Sequence, residues 1–416
     1  MILKLKNIFA FVLLLTTAQL VHAEWVWTKK NSLPSGNKRD RAVSFSINGN
    51  GYVGTGLDSL NIVRTDFWKY DTLTDSWSQV ADFPGTARRD AVAFVIDSFA
   101  YVGTGIDDSS AWGTIMSDFY RYDAYLNFWM QIDSFGIANS YGVFKAAAFS
   151  AGGKGYVTTG RVWGAPSYET WMYDPAINSW TQKMNFPAFG GRNGAVGFSI
   201  GNKTYLTTGS DDNYFYNDLW EYDVVFNSWS QKQNFPGTPR IAAIAFTIDS
   251  LAFVGTGSDG GYSNDFWYYN ASINQWGYAN QFPGDARRAA TGFSIGEYGY
   301  LSCGKSESGT KRDLWQLSYQ TQVNTNDNES VFSKSDFKIY PNIISVNSFI
   351  QLKGIPVGCF QLTVFDSFGK LTNKISISEN KIFISADDFK SAGEYFIQLK
   401  SSDKNIYSTV QKIIVL

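Results

Sequence analysis

The chain has a single histidine in 416 residues, His22. It falls in an N-terminal stretch that reads as a removable leader. Lys4 and Lys6 precede an apolar run from Ile8 to Leu15, and Val21-His22-Ala23 gives a small-x-small cleavage pattern. The mature chain is therefore expected to lack imidazole. That excludes Ser-His-Asp and Cys-His nucleophiles, the usual zinc clusters and an imidazole proton shuttle. Cysteine is almost as scarce. Cys303 and Cys359 fall in different predicted domains, so no disulfide framework is expected, and no cysteine at the cut offers a lipid anchor. Long apolar runs are missing too. The leader's run is too short to span a bilayer, and none after it approaches the ~18 residues a spanning helix needs. The net charge of −2 offers no basic field for nucleic acid. No P-loop, dinucleotide fingerprint or EF-hand loop occurs, and no cofactor is expected.

What the chain does have is aromatic residues, 17% of the total, and a repeat. Tyr52-Val53-Gly54-Thr55-Gly56 returns at Tyr101–Gly105, Tyr156–Gly160, Tyr205–Gly209, Phe253–Gly257 and Tyr300–Gly304. A period of roughly fifty residues with strand-like content predicts one four-stranded unit per repeat, arranged radially. Each repeat runs in the same order. An alternating strand leads through a Gly/Asn turn to the Tyr-Val-Gly-Thr-Gly strand. A variable loop follows, then an aromatic strand bounded by aspartates, a short turn and a strand that opens on Trp. The Tyr of the third strand and the Trp of the fourth form five pairs: Tyr70/Trp77, Tyr122/Trp129, Tyr173/Trp180, Tyr222/Trp229 and Tyr269/Trp276. The sixth repeat stops after its third strand. Trp27-Thr28-Lys29-Lys30-Asn31-Ser32-Leu33-Pro34 matches Trp180–Pro187 in pattern, so the N-terminus is expected to supply the missing outer strand. Closing the ring that way removes an open sheet edge.

These residues resemble the kelch repeat family over Glu24 to Tyr319. The resemblance implies an all-β fold, a six-bladed kelch-type β-propeller closed by an N-terminal strand. The sequence departs from the family where the second strand of each blade ends in Thr-Gly, or Cys303-Gly304, in place of two glycines. After a polar stretch the texture changes to short alternating strands, which predict a small C-terminal Ig-like β-sandwich. Tyr340-Pro341-Asn342, Asp366-x-x-Gly369, Gly393-x-Tyr395 and Gln411-Lys412 resemble the C-terminal sorting domain of the type IX secretion system of Bacteroidetes, with Ile343 where a second proline is usual. The expected organisation is a signal peptide (1–23), a propeller (24–319), a linker (320–336) and a sorting domain (337–416). The resemblance implies the type IX machinery as a partner, export, and a secreted or surface-attached product with no transmembrane segment in the mature chain.

Functional candidates collect on one face. Arg39, Arg88, Arg192, Arg240 and Arg287 recur at one place before the inner strand of five blades, and Val143 stands there in the third, with Lys145 two residues on. Asp58, Asp107, Asp211 and Asp259 recur two residues after the strand-closing glycine. Either the arginines are structural and pin their loops, or their guanidinium forks recognise a carboxylate or sugar hydroxyls at the channel mouth. The variable loops add Arg161 and the aromatics Trp112, Trp163, Tyr214 and Tyr262 as candidate ligand contacts, which suits a recognition surface for a glycan, peptide or protein. The third repeat is least faithful to the pattern, so a site is expected to lean toward it. Two other classes remain open. One is a sugar mutarotase or epimerase, a class similar in architecture, with Glu169 and Glu307 as acid–base candidates. The other is a purely structural or adhesive surface protein.

Overall fold

The computed structural model describes residues 21–108, 113–136, 142–187 and 191–323, together with separate strands and residues of the segment beyond. The expected leader as far as Leu20, Trp112, nearly all of the expected linker, Cys359, and Pro341, Asn342 and Gly369 of the sorting-domain signature lie outside the described residues. The described chain contains no helix, and it divides into two compact units, the larger spanning Trp25–Ser318.

The larger unit holds six antiparallel four-stranded sheets. The first is Val43–Ile47, Asn50–Gly54, Phe67–Asp71 and Ser76–Val80. The next four repeat it in order. The sixth takes Thr291–Ile295, Tyr298–Ser302 and Leu314–Val323 from the end of the unit, and its outer strand is Val21–Lys30 from the beginning. That strand starts upstream of the expected cut after Ala23. Inner strands of neighbouring sheets pack on one another in sequence, and the sixth packs on the first.

Alternation along each inner strand places one aromatic ring between neighbouring sheets. Phe45 stacks on Tyr52 at 5.0 Å, and Tyr52 meets Tyr122 of the next sheet edge-on at 5.7 Å. The same pairings recur around the ring, for example Phe198 on Tyr205 and Tyr205 on Tyr269. Each ring buries a large area and gains from the edge-to-face geometry.

The Tyr/Trp pairs have a second task. In the fourth sheet, Asn227 Oδ1 accepts both the Tyr222 hydroxyl (2.7 Å) and the Met184 amide of the preceding sheet (2.8 Å). Trp229 Nε1 then donates to the Met184 carbonyl at 3.0 Å, so the backbone of one residue is gripped at both its N–H and its C=O. Asn127, Asn178 and Asn274 do the same in their sheets, and Asp75 grips Asn31 of the N-terminal segment. Replacing Asn227 with alanine leaves a tyrosine hydroxyl and a backbone amide without their acceptor. It should cost about 1–3 kcal/mol. A thermal melt of Asn227→Ala, Tyr222→Phe and the double variant checks this. Additive losses would mean that the clamp is not a unit.

The closing glycine of each repeat is also explained. Thr55 and Gly56 lie just past their strand, both at positive φ (57° and 90°), and the corresponding pair in every repeat does likewise. The Gly56 amide donates to Arg88 O of the next sheet at 2.9 Å, and a Cβ there would lie 2.7 Å from Asp40 O. Gly105, Gly160, Gly209, Gly257 and Gly304 make the same amide link to Val143, Arg192, Arg240, Arg287 and Arg39. A left-handed turn with a neighbouring backbone this close leaves room only for glycine.

In the smaller unit, the described strands form a five-stranded sheet and a three-stranded sheet. The five-stranded sheet is antiparallel except where Ile343–Ile344 runs parallel to Gln411–Val415. Leu362, Val364, Tyr395 and Ile397 are buried in it.

Candidate functional site

The recurring arginines are buried. Arg39, Arg88, Arg192, Arg240 and Arg287 are each at most 1% exposed. Their partners are not the aspartates of the sequence pattern but Asp66, Asp118, Asp218, Asp265 and Asp313, which stand just before or at the start of the third strand of the same sheet. The contact is bidentate. In Arg88 the two terminal nitrogens meet the Asp118 oxygens at 2.6 and 2.8 Å, and one also donates to the Thr104 carbonyl at 3.0 Å. Below four of the guanidinium groups lies the Phe of the preceding Phe-Pro segment, as Phe83 lies under Arg88 at 4.7 Å, and Leu33 takes that sequence position before Arg39. In four sheets a Trp two residues on donates its indole N–H to the same carboxylate, as Trp68 does to Asp66 at 2.6 Å. Burial pushes the Asp66 and Asp313 carboxyls up, but the arginine hydrogen bonds and charge outweigh it and hold both below the ordinary carboxylate range. Each fork is buried and spent on its own aspartate, so these five arginines present no guanidinium to a ligand at the mouth.

The other aspartates shape their own loops. Asp58 pairs with Arg64, Asp107 accepts the Thr114 amide, Asp211 caps the Asn213 and Tyr214 amides, and Asp259 accepts the Thr238 hydroxyl.

Two residues beyond each arginine, and beyond Val143 in the third repeat, the chain turns left-handed again: Arg41, Asp90, Lys145, Gly194, Ala242 and Ala289 have φ between 50° and 62°. Their backbones form a closed cycle. Asp90 N donates to Arg41 O, Lys145 N to Asp90 O, Gly194 N to Lys145 O, Ala242 N to Gly194 O, Ala289 N to Ala242 O, and Arg41 N back to Ala289 O, all at 2.9–3.1 Å. An alanine follows each of the six. Together with Ile241 and Arg288, this ring and its alanines line an open cavity of about 210 Å³.

The backbone of the cavity repeats around the ring, but its side chains do not. Arg41, Lys145 and Arg288 bring positive charge, and Asp90 is the single carboxylate in the wall. That aspartate is already engaged by Arg89 at 2.6 Å. Arg41 stands off at 3.8 Å from Asp90 and 3.7 Å from Asp40. Lys145 Nζ and the Arg288 guanidinium make no ion pair among the described residues; each lies 5.7 Å from an aromatic ring, Phe144 and Tyr262 respectively. Behind the wall, Asp40 is 1% exposed and its Oδ1 lacks a hydrogen-bond donor. Burial raises the Asp40 carboxyl above its ordinary value, with Arg41 opposing. Gly194, Ile241 and Ala242 leave the arc of the fourth and fifth sheets neutral.

Of the remaining candidates, Lys145 is in the cavity. Arg161 reaches across to Asp212 on the next loop. Trp163 sits half-exposed at the tip of the hairpin Arg161–Pro166, and Tyr214 is exposed on the neighbouring loop. Tyr262 underlies Arg288. Glu169 takes the place that aspartate holds in the other sheets and accepts the Trp171 indole N–H at 2.9 Å. It is exposed, as is Glu307, and neither lines the cavity. Sequence reasoning missed Arg41, Asp40, Asp90 and Arg288. Their signal was available: within an otherwise faithful repeat, the two positions after the arginine are the ones whose charge changes from copy to copy.

No family model matches the chain, and no curated protein matches it in sequence. Among solved structures it matches the structure of YjhT, at TM-score 0.57 and 17% identity, over 70% of this chain and 99% of that one. The larger unit is a β-propeller. Its cavity lies where the inner strands of the propeller begin, and at this identity the likeness extends to the architecture alone.

Proposed function

We propose that the protein is a six-bladed kelch-type propeller with an Ig-like sorting domain, exported by a type IX system and released or held at the cell surface, where it recognises a carboxylate-bearing glycan, peptide or protein at the propeller mouth. The observation that carries this reading is the cavity wall, in which Arg41, Lys145 and Arg288 face one carboxylate that is already neutralised. A guanidinium or ammonium without a strong internal partner in a concave site favours an anionic ligand. Trp163, Tyr168 and Tyr214 are at least 49% exposed on adjacent loops and supply flat apolar surface for the rest of the ligand.

The test is an array of acidic and neutral glycans and peptides probed with the purified propeller. Acidic members should dominate. Arg41→Ala combined with Lys145→Ala should weaken binding by about 10- to 100-fold, as expected for lost hydrogen bonds to charged groups. Equal binding of neutral and acidic ligands, or indifference to the double variant, would sink the reading.

Asp40 favours one second reading, a sugar mutarotase or epimerase, because it is a buried carboxyl beside the cavity that burial biases toward its protonated form. It would replace Glu169 and Glu307 as the acid. Anomer exchange no faster with the protein than in buffer removes this alternative.

A further inference from the structure

Lys145 differs in kind from the rest of the cavity wall. Its backbone is fixed at both ends, its amide to Asp90 and its carbonyl to Gly194, at a φ of 53°. The side chain is half-buried, and Nζ has no hydrogen-bond or ion-pair partner among the described residues. The charged groups that act on it are Asp90, which Arg89 already engages, and three cations: Arg41, Arg89 and Arg161. A lysine that is desolvated and surrounded by positive charge loses its proton easily, and a neutral amine is a nucleophile. Burial is the main cause and the arginines add to it, so the Lys145 ammonium lies below the ordinary lysine value of 10.5. The cavity, at about 210 Å³, is smaller than the roughly 300–1,000 Å³ of drug-sized pockets. It suits a ligand, or the terminal unit of one, with only a few heavy atoms.

We propose that Lys145 captures the carbonyl carbon of a small 2-oxo acid as an imine, with the acid's carboxylate held by Arg41 and Arg288. This rests on the anion-recognition reading above and adds a covalent step to it. The Nζ lone pair attacks the carbonyl carbon, forming a C–N bond while the C=O π electrons move to oxygen. Proton transfer from nitrogen to that oxygen gives a carbinolamine. A proton taken from solvent turns the carbinolamine hydroxyl into water, and the nitrogen lone pair expels that water to leave the protonated imine. Amine, ketone and one solvent proton thus become protonated imine and water, with no change of oxidation state. The open cavity admits the water and proton.

The experiment is reductive trapping of the full chain with pyruvate and cyanoborohydride, read by intact mass and peptide mapping. One reduced pyruvate adduct per chain is expected, located on Lys145, forming well below the pH at which exposed lysines react. Lys145→Arg, which keeps charge and volume, should abolish it with the melting temperature unchanged. Arg41→Ala should lower the yield at least tenfold. Labelling spread over several lysines, or a Lys145→Arg protein labelled like the parent, overturns the proposal. A pyruvate-dependent thermal shift without any adduct would overturn the imine and leave anion recognition standing. Absence of both a shift and binding to acidic ligands on the array would remove the two together.

Discussion

Arg192→Ala is expected to destabilise the propeller by about 3–5 kcal/mol, because it strands Asp218 beside the emptied site of a buried pair. For a domain of this size that lowers the melting temperature by on the order of 10 °C. Arg192 is fully buried, meets both Asp218 oxygens at 2.5 and 2.9 Å, and lies between Phe186 and Tyr216 at 4.8 and 4.3 Å. Lysine keeps the charge but not the fork, so Arg192→Lys should recover only part of the loss. Calorimetry of the two variants beside ligand binding separates the roles proposed for arginine in this chain. A melting temperature that stays put while affinity falls would return Arg192 to the mouth. Acid should act in the same direction. Asp66 and Asp313 have folded pKa values below their unfolded ones, so their contribution is full above the unfolded carboxylate value and is lost as pH falls through the lower folded value.

The second large effect concerns the seam. A chain that begins at Ser32 lacks the outer strand of the sixth sheet and exposes the edge of Leu314–Val323. Trp27 leaves with it, and that ring contacts Phe266 at 4.9 Å and Phe282 at 5.2 Å on the fifth sheet. Trp25, edge-on to Phe253 at 4.5 Å, leaves as well. We expect loss of cooperative unfolding and self-association through the bare edge, measured by circular dichroism and size-exclusion chromatography. Trp27→Ala alone should cost about 3 kcal/mol. A truncated chain that stays monomeric and melts like the parent would show that the ring does not depend on this strand. The seam is also less finished than the other junctions. Trp27 Nε1 is buried without an acceptor, whereas the five paired tryptophans each donate to the preceding segment. A register shift in the fifth sheet, between Asp265 and Trp267, accompanies this, and Asn280 compensates by donating to Trp25 O at 2.7 Å.

Period and pairing were legible because they are made of large residues at constant spacing. The likeness of Trp27–Pro34 to Trp180–Pro187 was enough to place the first strand in the last sheet. The arginine partners were harder. Asp58 and its counterparts keep a fixed distance from the glycine and so look like part of the repeat. Asp66 and its counterparts lie beyond loops of varying length, and only the folding back of those loops brings them under the guanidinium. The clamp residues Asp75, Asn127, Asn178, Asn227 and Asn274 read as turn formers, and their positive φ does suit a turn. Their grip on the neighbouring sheet appears only in three dimensions. Arg41 and Arg288 each sit near the recurring arginine, and in one dimension they look like solvated charge. Lys145 stood out in the sequence because the third repeat loses its arginine there.

The ring of six left-handed residues has one more consequence. Its hydrogen bonds run head to tail in a single rotational sense, each residue giving its amide to one neighbour and its carbonyl to the other. Tangential dipoles around a closed circuit cancel, and no amide of the circuit is left over to point down the axis. Consecutive backbone N–H groups that converge on an anion make a ready cradle elsewhere in protein structure, and here every one of them is consumed. The circuit itself thus offers no backbone cradle for an anion at the mouth. The field a ligand meets there is set by the side chains of Arg41, Asp90, Lys145 and Arg288, so selectivity could change by substitution at these positions while the circuit beneath them stays intact.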